Sequence, residues 1–139
     1  MMMLSRAFFV IGSLIIFTMG TLHLYLTYGT IKFQTRDAEL TERMKQVPLI
    51  MSKQTTVWKA WIGFNASHSM GAMIYGLIFA YLAAFHYTML IGSAFLIFIL
   101  LGTSVCYVIM ARHYWFSSPF RGLSAALTCL VCGVVLAYI

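Results

Sequence analysis

Three features of the sequence predict an all-α fold, a bundle of four transmembrane helices. Four apolar stretches each approach the roughly 20 residues a helix needs to cross about 30 Å of hydrocarbon. The composition agrees: 62% of the residues are hydrophobic, 9% are charged, and the mean hydropathy is +0.91. That balance leaves too little polar surface for a fold dissolved in water. Finally, the Lys and Arg residues gather on alternate connections between the stretches, the pattern of a multi-pass membrane protein.

The stretches cover residues 7–28, 61–85, 89–111 and 120–139. Arg6 ahead of the first resembles the start of a signal peptide, but the apolar run is too long and no small-residue cleavage site follows, so it is expected to remain as a helix. Only His86, Tyr87 and Thr88 separate the second and third stretches, which makes them antiparallel neighbours. The third connection, residues 112–119, is nearly as short, and Pro119 suits the first turn of the last helix, where its missing N–H costs nothing. One domain is therefore expected across residues 1–139, with residues 30–56 as its polar membrane-surface connection. There Leu40, Met44 and Val47 recur at helical spacing opposite Arg36, Glu39, Arg43 and Lys45. This spacing predicts a short amphipathic helix on the lipid headgroups, ended by Pro48.

Of nine basic residues, only Arg6 lies on one side; Lys32, Arg36, Arg43, Lys45, Lys53, Lys59, Arg112 and Arg121 all belong to the first and third connections. Those connections should face the cytoplasm and both termini the outer side. The net charge of +6 sits beside apolar runs, which points to anionic membrane lipids rather than nucleic acid as its partner. Cys106, Cys129 and Cys132 lie in apolar segments as small hydrophobes, and the Cys129-x-x-Cys132 spacing there reads as packing rather than redox chemistry. No internal repeat or phosphate-binding glycine loop is present, and Asp37, Glu39 and Glu42 all lie outside the spans. These features weigh against nucleotide chemistry, ion-coupled transport and catalysis.

Polar residues inside the spans are the candidates for function, because each must find a partner in hydrocarbon. On the second span Trp58, Trp61, Asn65, His68, Ala72, Tyr75 and Phe79 follow steps of three and four and form one stripe, with Ser69 beside it. Trp58 and Trp61 are placed as interfacial anchors. On the first span Gly20, His23 and Thr27 share a face. Counted from the same membrane surface at 1.5 Å per residue, His23 and His68 both lie on the order of 10 Å deep, so the imidazoles can meet. Candidate ligand-binding residues are therefore His23, Asn65, His68, Ser69 and Trp61. The histidine pair suits several uses: haem ligation, a metal with Asn65 or Cys106 nearby, or hydrogen bonds to a quinone or other lipid-like head. The competing role is the fastening of helices by Asn, Ser, Thr and His, at about 0.6–2 kcal/mol each. His86 and His113, at the span ends, need no special role. On the fourth span Gly122, Ala125, Ala126, Cys129 and Gly133 form small-residue pairs that allow close packing.

The stretch WKAWIGFNASHSMG, together with Gln54-Thr55-Thr56 and GTLHLYLT of the first span, resembles a family of small, uncharacterised bacterial four-helix membrane proteins. The likeness covers almost the whole chain, and its most specific part is Gly63-Phe64-Asn65-x-Ser67-His68-Ser69 with His23 as companion. It implies a bacterial cytoplasmic membrane and the same polar residues, but no activity. Two functions are thus expected to compete. One is a non-catalytic bundle that binds a lipid-like ligand, quinone or haem near His23, Asn65 and His68. The other is an accessory subunit of a larger membrane complex or a homo-oligomer. The charge distribution makes a direct prediction: a reporter fused after Ile139 is active outside the cytoplasm, and a cysteine in the 30–56 connection is shielded from impermeant label added outside. The opposite labelling pattern would overturn the orientation.

Overall fold

The computed structural model describes all 139 residues. In chain order they form α1 (Met2–Gly29), α2 (Ala38–Gln46), β1 (Pro48–Leu49), β2 (Ser52–Thr56), α3 (Val57–Phe85), α4 (Tyr87–Gly92), α5 (Ala94–Tyr114) and α6 (Ser117–Tyr138). Four of the helices, α1, α3, α5 and α6, are long and apolar enough to cross a membrane. The chain is an all-α, multi-pass integral membrane protein, built so that each span satisfies its backbone hydrogen bonds internally.

Several boundaries differ from those read off hydropathy. Helices α1 and α3 start earlier than expected, at Met2 and Val57, because Arg6, Trp58 and Lys59 lower the local hydropathy without breaking a helix. The third span begins at Ala94 rather than at residue 89. Ser93 is extended (φ −109°, ψ 104°) and its side chain accepts from Leu96 N–H at 3.3 Å, so it caps α5 and separates it from α4.

By close contact the chain divides into two compact units. One comprises residues 1–19 and 72–139, the other residues 20–71.

In the first unit all four spans meet around Phe9, Ile16, Leu90, Leu100 and Leu130, each almost fully buried. Lipid is as apolar as these side chains, so close backbone approach and hydrogen bonds hold the helices together. A Cβ on Gly76 of α3 would stand 2.7 Å from Phe17 N and Ser13 O of α1. The small residues of α6 receive α1 in the same way: Gly122 lies against Met19 and Gly133 against the Phe9 ring, while Gly12 of α1 lies against Ala126 O and Leu130. Hydrogen bonds add to these contacts. Tyr75 OH donates to Leu100 O at 2.5 Å and lies 2.9 Å from Ser104 Oγ, tying α3 to α5. Tyr87 OH donates to Ser5 Oγ at 2.8 Å, and Ser5 Oγ donates to Gly133 O at 2.6 Å, joining α4, α1 and α6.

The second unit contains the end of α1, the polar connection and the start of α3. Asp37 caps α2, its carboxylate accepting from Glu39 and Leu40 N–H at 2.9 and 3.2 Å. The residue that α2 buries is Thr41, 2.6 Å from Thr35 Oγ1, whereas Leu40 and Val47 of its apolar stripe stay exposed. Val47 is extended (φ −79°, ψ 121°), the conformation favoured before a proline, and so ends the helix. Pro48 then opens an antiparallel hairpin, unexpected from the sequence, that pairs Leu49 with Ser52 and Pro48 with Thr56. Thr55 and Thr56 suit a strand, but two such short strands carry no hydropathy signal.

The approach of α1 to α3 makes a testable claim. Gly76→Ala should destabilise the protein by about 1–3 kcal/mol, because its methyl meets backbone rather than a movable side chain. Gly102→Ala, where a Cβ meets nothing within 4 Å, should change stability by about 0.5 kcal/mol or less. Unfolding of both purified variants in detergent is the measurement, and equal losses would refute the role given to Gly76.

Candidate functional site

The second unit brings His23, Asn65 and His68 together. Asn65 is fully buried and makes the central contacts. Its amide nitrogen donates to Trp61 O, one turn earlier on α3, at 2.8 Å, and its Oδ1 lies 3.1 Å from His23 Nε2 on α1. A carbonyl can only accept, so the NH2 group must face Trp61 and Oδ1 must face the ring. His23 Nε2 therefore carries a proton and donates it to Asn65.

His68, one helical turn further along α3, meets His23 edge-on, with ring centroids 5.6 Å apart and planes at 75°. The exposed Phe64 stacks parallel to His68, with centroids 6.2 Å apart and planes at 9°. On its other side His23 packs against the edge of Phe33 at 4.7 Å. Phe33 belongs to the connection after α1 and is held there by Trp61, whose indole N–H donates to Phe33 O at 3.0 Å. Trp61 thus pins the connection to α3.

Ser69 and Thr27 are buried but bond within their own helices. Ser69 Oγ donates to Asn65 O and Thr27 Oγ1 to His23 O, both at 2.8 Å. These bonds satisfy the hydroxyls one turn back along the helix. Ser69 faces neither imidazole through a hydrogen bond of its own.

Beside this cluster lies a cleft of about 330 Å³, with Thr27, Thr30, Phe33, Gln34, Trp58 and Ile62 among its lining residues. Phe33 is the shared wall: it packs against His23 and also lines the cleft. Sequence reasoning missed Phe33, Gln34 and Thr30. They lie in a polar connection without periodicity, placed by the indole bond to Phe33 O and by local bonds such as Thr30 Oγ1 to Leu26 O and Gln34 N–H to Ile31 O.

A haem between the two imidazoles does not fit these residues. Axial ligation sets an unprotonated ring nitrogen about 2 Å from the metal on each side, with the macrocycle separating the rings. Here the rings are in edge contact, and His23 Nε2 is protonated toward Asn65. Nor does any group of three His, Cys, Asp or Glu side chains gather in a metal-holding arrangement. Cys106, a possible third ligand on sequence grounds, is exposed on α5 in the other unit. What the cluster offers chemically is a set of oriented hydrogen-bonding groups with aromatic walls.

No protein-family model, curated protein or solved structure matches this chain.

The geometry gives a quantitative expectation for His23 and Asn65. In a double-substitution cycle with His23→Ala and Asn65→Ala, the coupling energy should be about 0.6–1.7 kcal/mol, the range found for hydrogen bonds between transmembrane helices. Strictly additive losses on unfolding would show that the two side chains do not interact.

Proposed function

We propose that this chain is a non-catalytic membrane protein that binds the polar head of a lipid-like or quinone-type ligand beside His23, Asn65 and His68. The observation that carries the proposal is the oriented imidazole pair, with Asn65 directing His23, next to a cleft that shares Phe33 with it. A cleft of about 330 Å³ is at the small end of ligand sites, large enough for a head group rather than a whole lipid. The ligand head would exchange hydrogen bonds with the imidazole pair, and its tail would follow the apolar helix surface.

The distribution of basic residues supports a cytoplasmic position for this half of the molecule, and the likeness to small bacterial four-helix proteins supports a bacterial cytoplasmic membrane. A second reading, an accessory subunit whose polar residues only fasten helices, draws support from the intrahelical bonds of Ser69 and Thr27. The two readings part over the histidines.

Replacing His68 or His23 with Gln keeps a hydrogen-bonding side chain of moderate size but loses the imidazole. On the binding reading, each of His23→Gln and His68→Gln removes the same co-purifying lipid or quinone, detected by mass spectrometry of the protein extracted from its membrane. The double variant loses little more, because one site is already gone. Variants that melt like the parent and keep every bound species would support fastening instead.

A further inference from the structure

A second polar arrangement lies in the other unit, where α1 begins. Arg6 holds its guanidinium over the face of Tyr87, with Cζ 5.1 Å from the ring centroid. The ring is a fixed platform: Tyr87 is 4% exposed, and its hydroxyl is anchored through Ser5 Oγ to Gly133 O. Arg6 Nε is buried without a hydrogen-bond partner. No carboxylate side chain of this unit is available to it, since Asp37, Glu39 and Glu42 all belong to residues 20–71. The chain's ion pair joins Lys45 to Glu42, also within that other unit.

A guanidinium drawn partly out of water, stacked on an immobile ring and lacking an internal counter-charge, is preorganised for an external anion. With Nε enclosed, the terminal Nη groups are the donors that meet it. Arginine's planar fork matches the oxygens of a phosphate. Apolar side chains are exposed close by in the chain, with Phe85 and Met89, two residues before and after Tyr87, at 74% and 61%. A phosphate that arrives with acyl chains covers that surface; free phosphate does not.

We propose that Arg6 on Tyr87 forms a phosphate site that takes the headgroup of an anionic phospholipid. The site is separate from the His23 cluster and independent of the function proposed for it. The test uses the full chain purified in detergent, mixed with vesicles of phosphatidylglycerol and phosphatidylcholine, and read by native mass spectrometry. Wild type should retain phosphatidylglycerol. Arg6→Gln should lower that retention about five- to tenfold, as the loss of one basic lipid contact implies. Arg6→Lys, which keeps the charge but not the fork, should fall between them. Lys53→Gln, a basic residue of the other unit, should match wild type. Unchanged retention in Arg6→Gln, or an equal loss in Lys53→Gln, overturns the site. Inorganic phosphate is then titrated in: persistence of the lipid supports a lipid site, and displacement by millimolar phosphate overturns the lipid assignment in favour of the free anion.

Discussion

Hydrocarbon has no water with which to complete a hydrogen bond, so every polar group carried into the four spans must find its partner within the protein. Much of the internal order follows from that constraint. Tyr75 reaches Leu100 O and Ser104, Tyr87 reaches Gly133 O through Ser5, and Asn65 divides its amide between Trp61 O and His23. Where no neighbour is suitably placed, the side chain turns back on its own helix, as Ser69 and Thr27 do. Ser13 is an exception: its hydroxyl is buried without a partner at the place where α1 comes closest to Gly76.

Close approach is the second organising feature. Apolar side chains gain little by leaving lipid for one another, so contact area and backbone proximity decide which helices associate. Gly12, Gly76, Gly122 and Gly133 supply that proximity, each with a side chain or backbone of another helix in the space a Cβ would need. The first unit is thereby closely packed. In the second unit, contacts among His23, Phe33, Asn65 and Trp61 take the place of the glycine contacts.

Within the candidate site, Asn65 is the residue on which the others depend. It is fully buried, orients His23 through one end of its amide and is fixed to its own helix through the other. Trp61 contributes at one remove, by holding the connection so that Phe33 closes over His23. The sequence placed Trp61 among candidate ligand contacts and as an interfacial anchor; its hydrogen bond makes it a support for the wall of the cleft.

The number of spans was legible in the sequence because hydropathy and helical period are local properties. Eighteen or more apolar residues in one stretch suffice to mark a span, and steps of three and four placed Asn65 and His68 on one face of α3. The meeting of His23 with His68 was also anticipated, from their equal depths, since a helix rises by a constant amount per residue. Contacts set by the approach of separate segments were not legible. The bond between His23 and Asn65 spans 42 positions and that between Trp61 and Phe33 spans 28, and the identity of the proton donor depends on which groups surround an amide whose two ends differ only in hydrogen-bonding role. The hairpin at residues 48–56 and the break at Ser93 were likewise decided by hydrogen bonds of single residues, too few to register in a hydropathy window. The sequence alone thus determined how many times this chain can cross a membrane and which polar residues it carries inside; only the tertiary structure decided which of them bond to one another and where a cleft opens beside them, because those outcomes depend on distances between helices that no local pattern encodes.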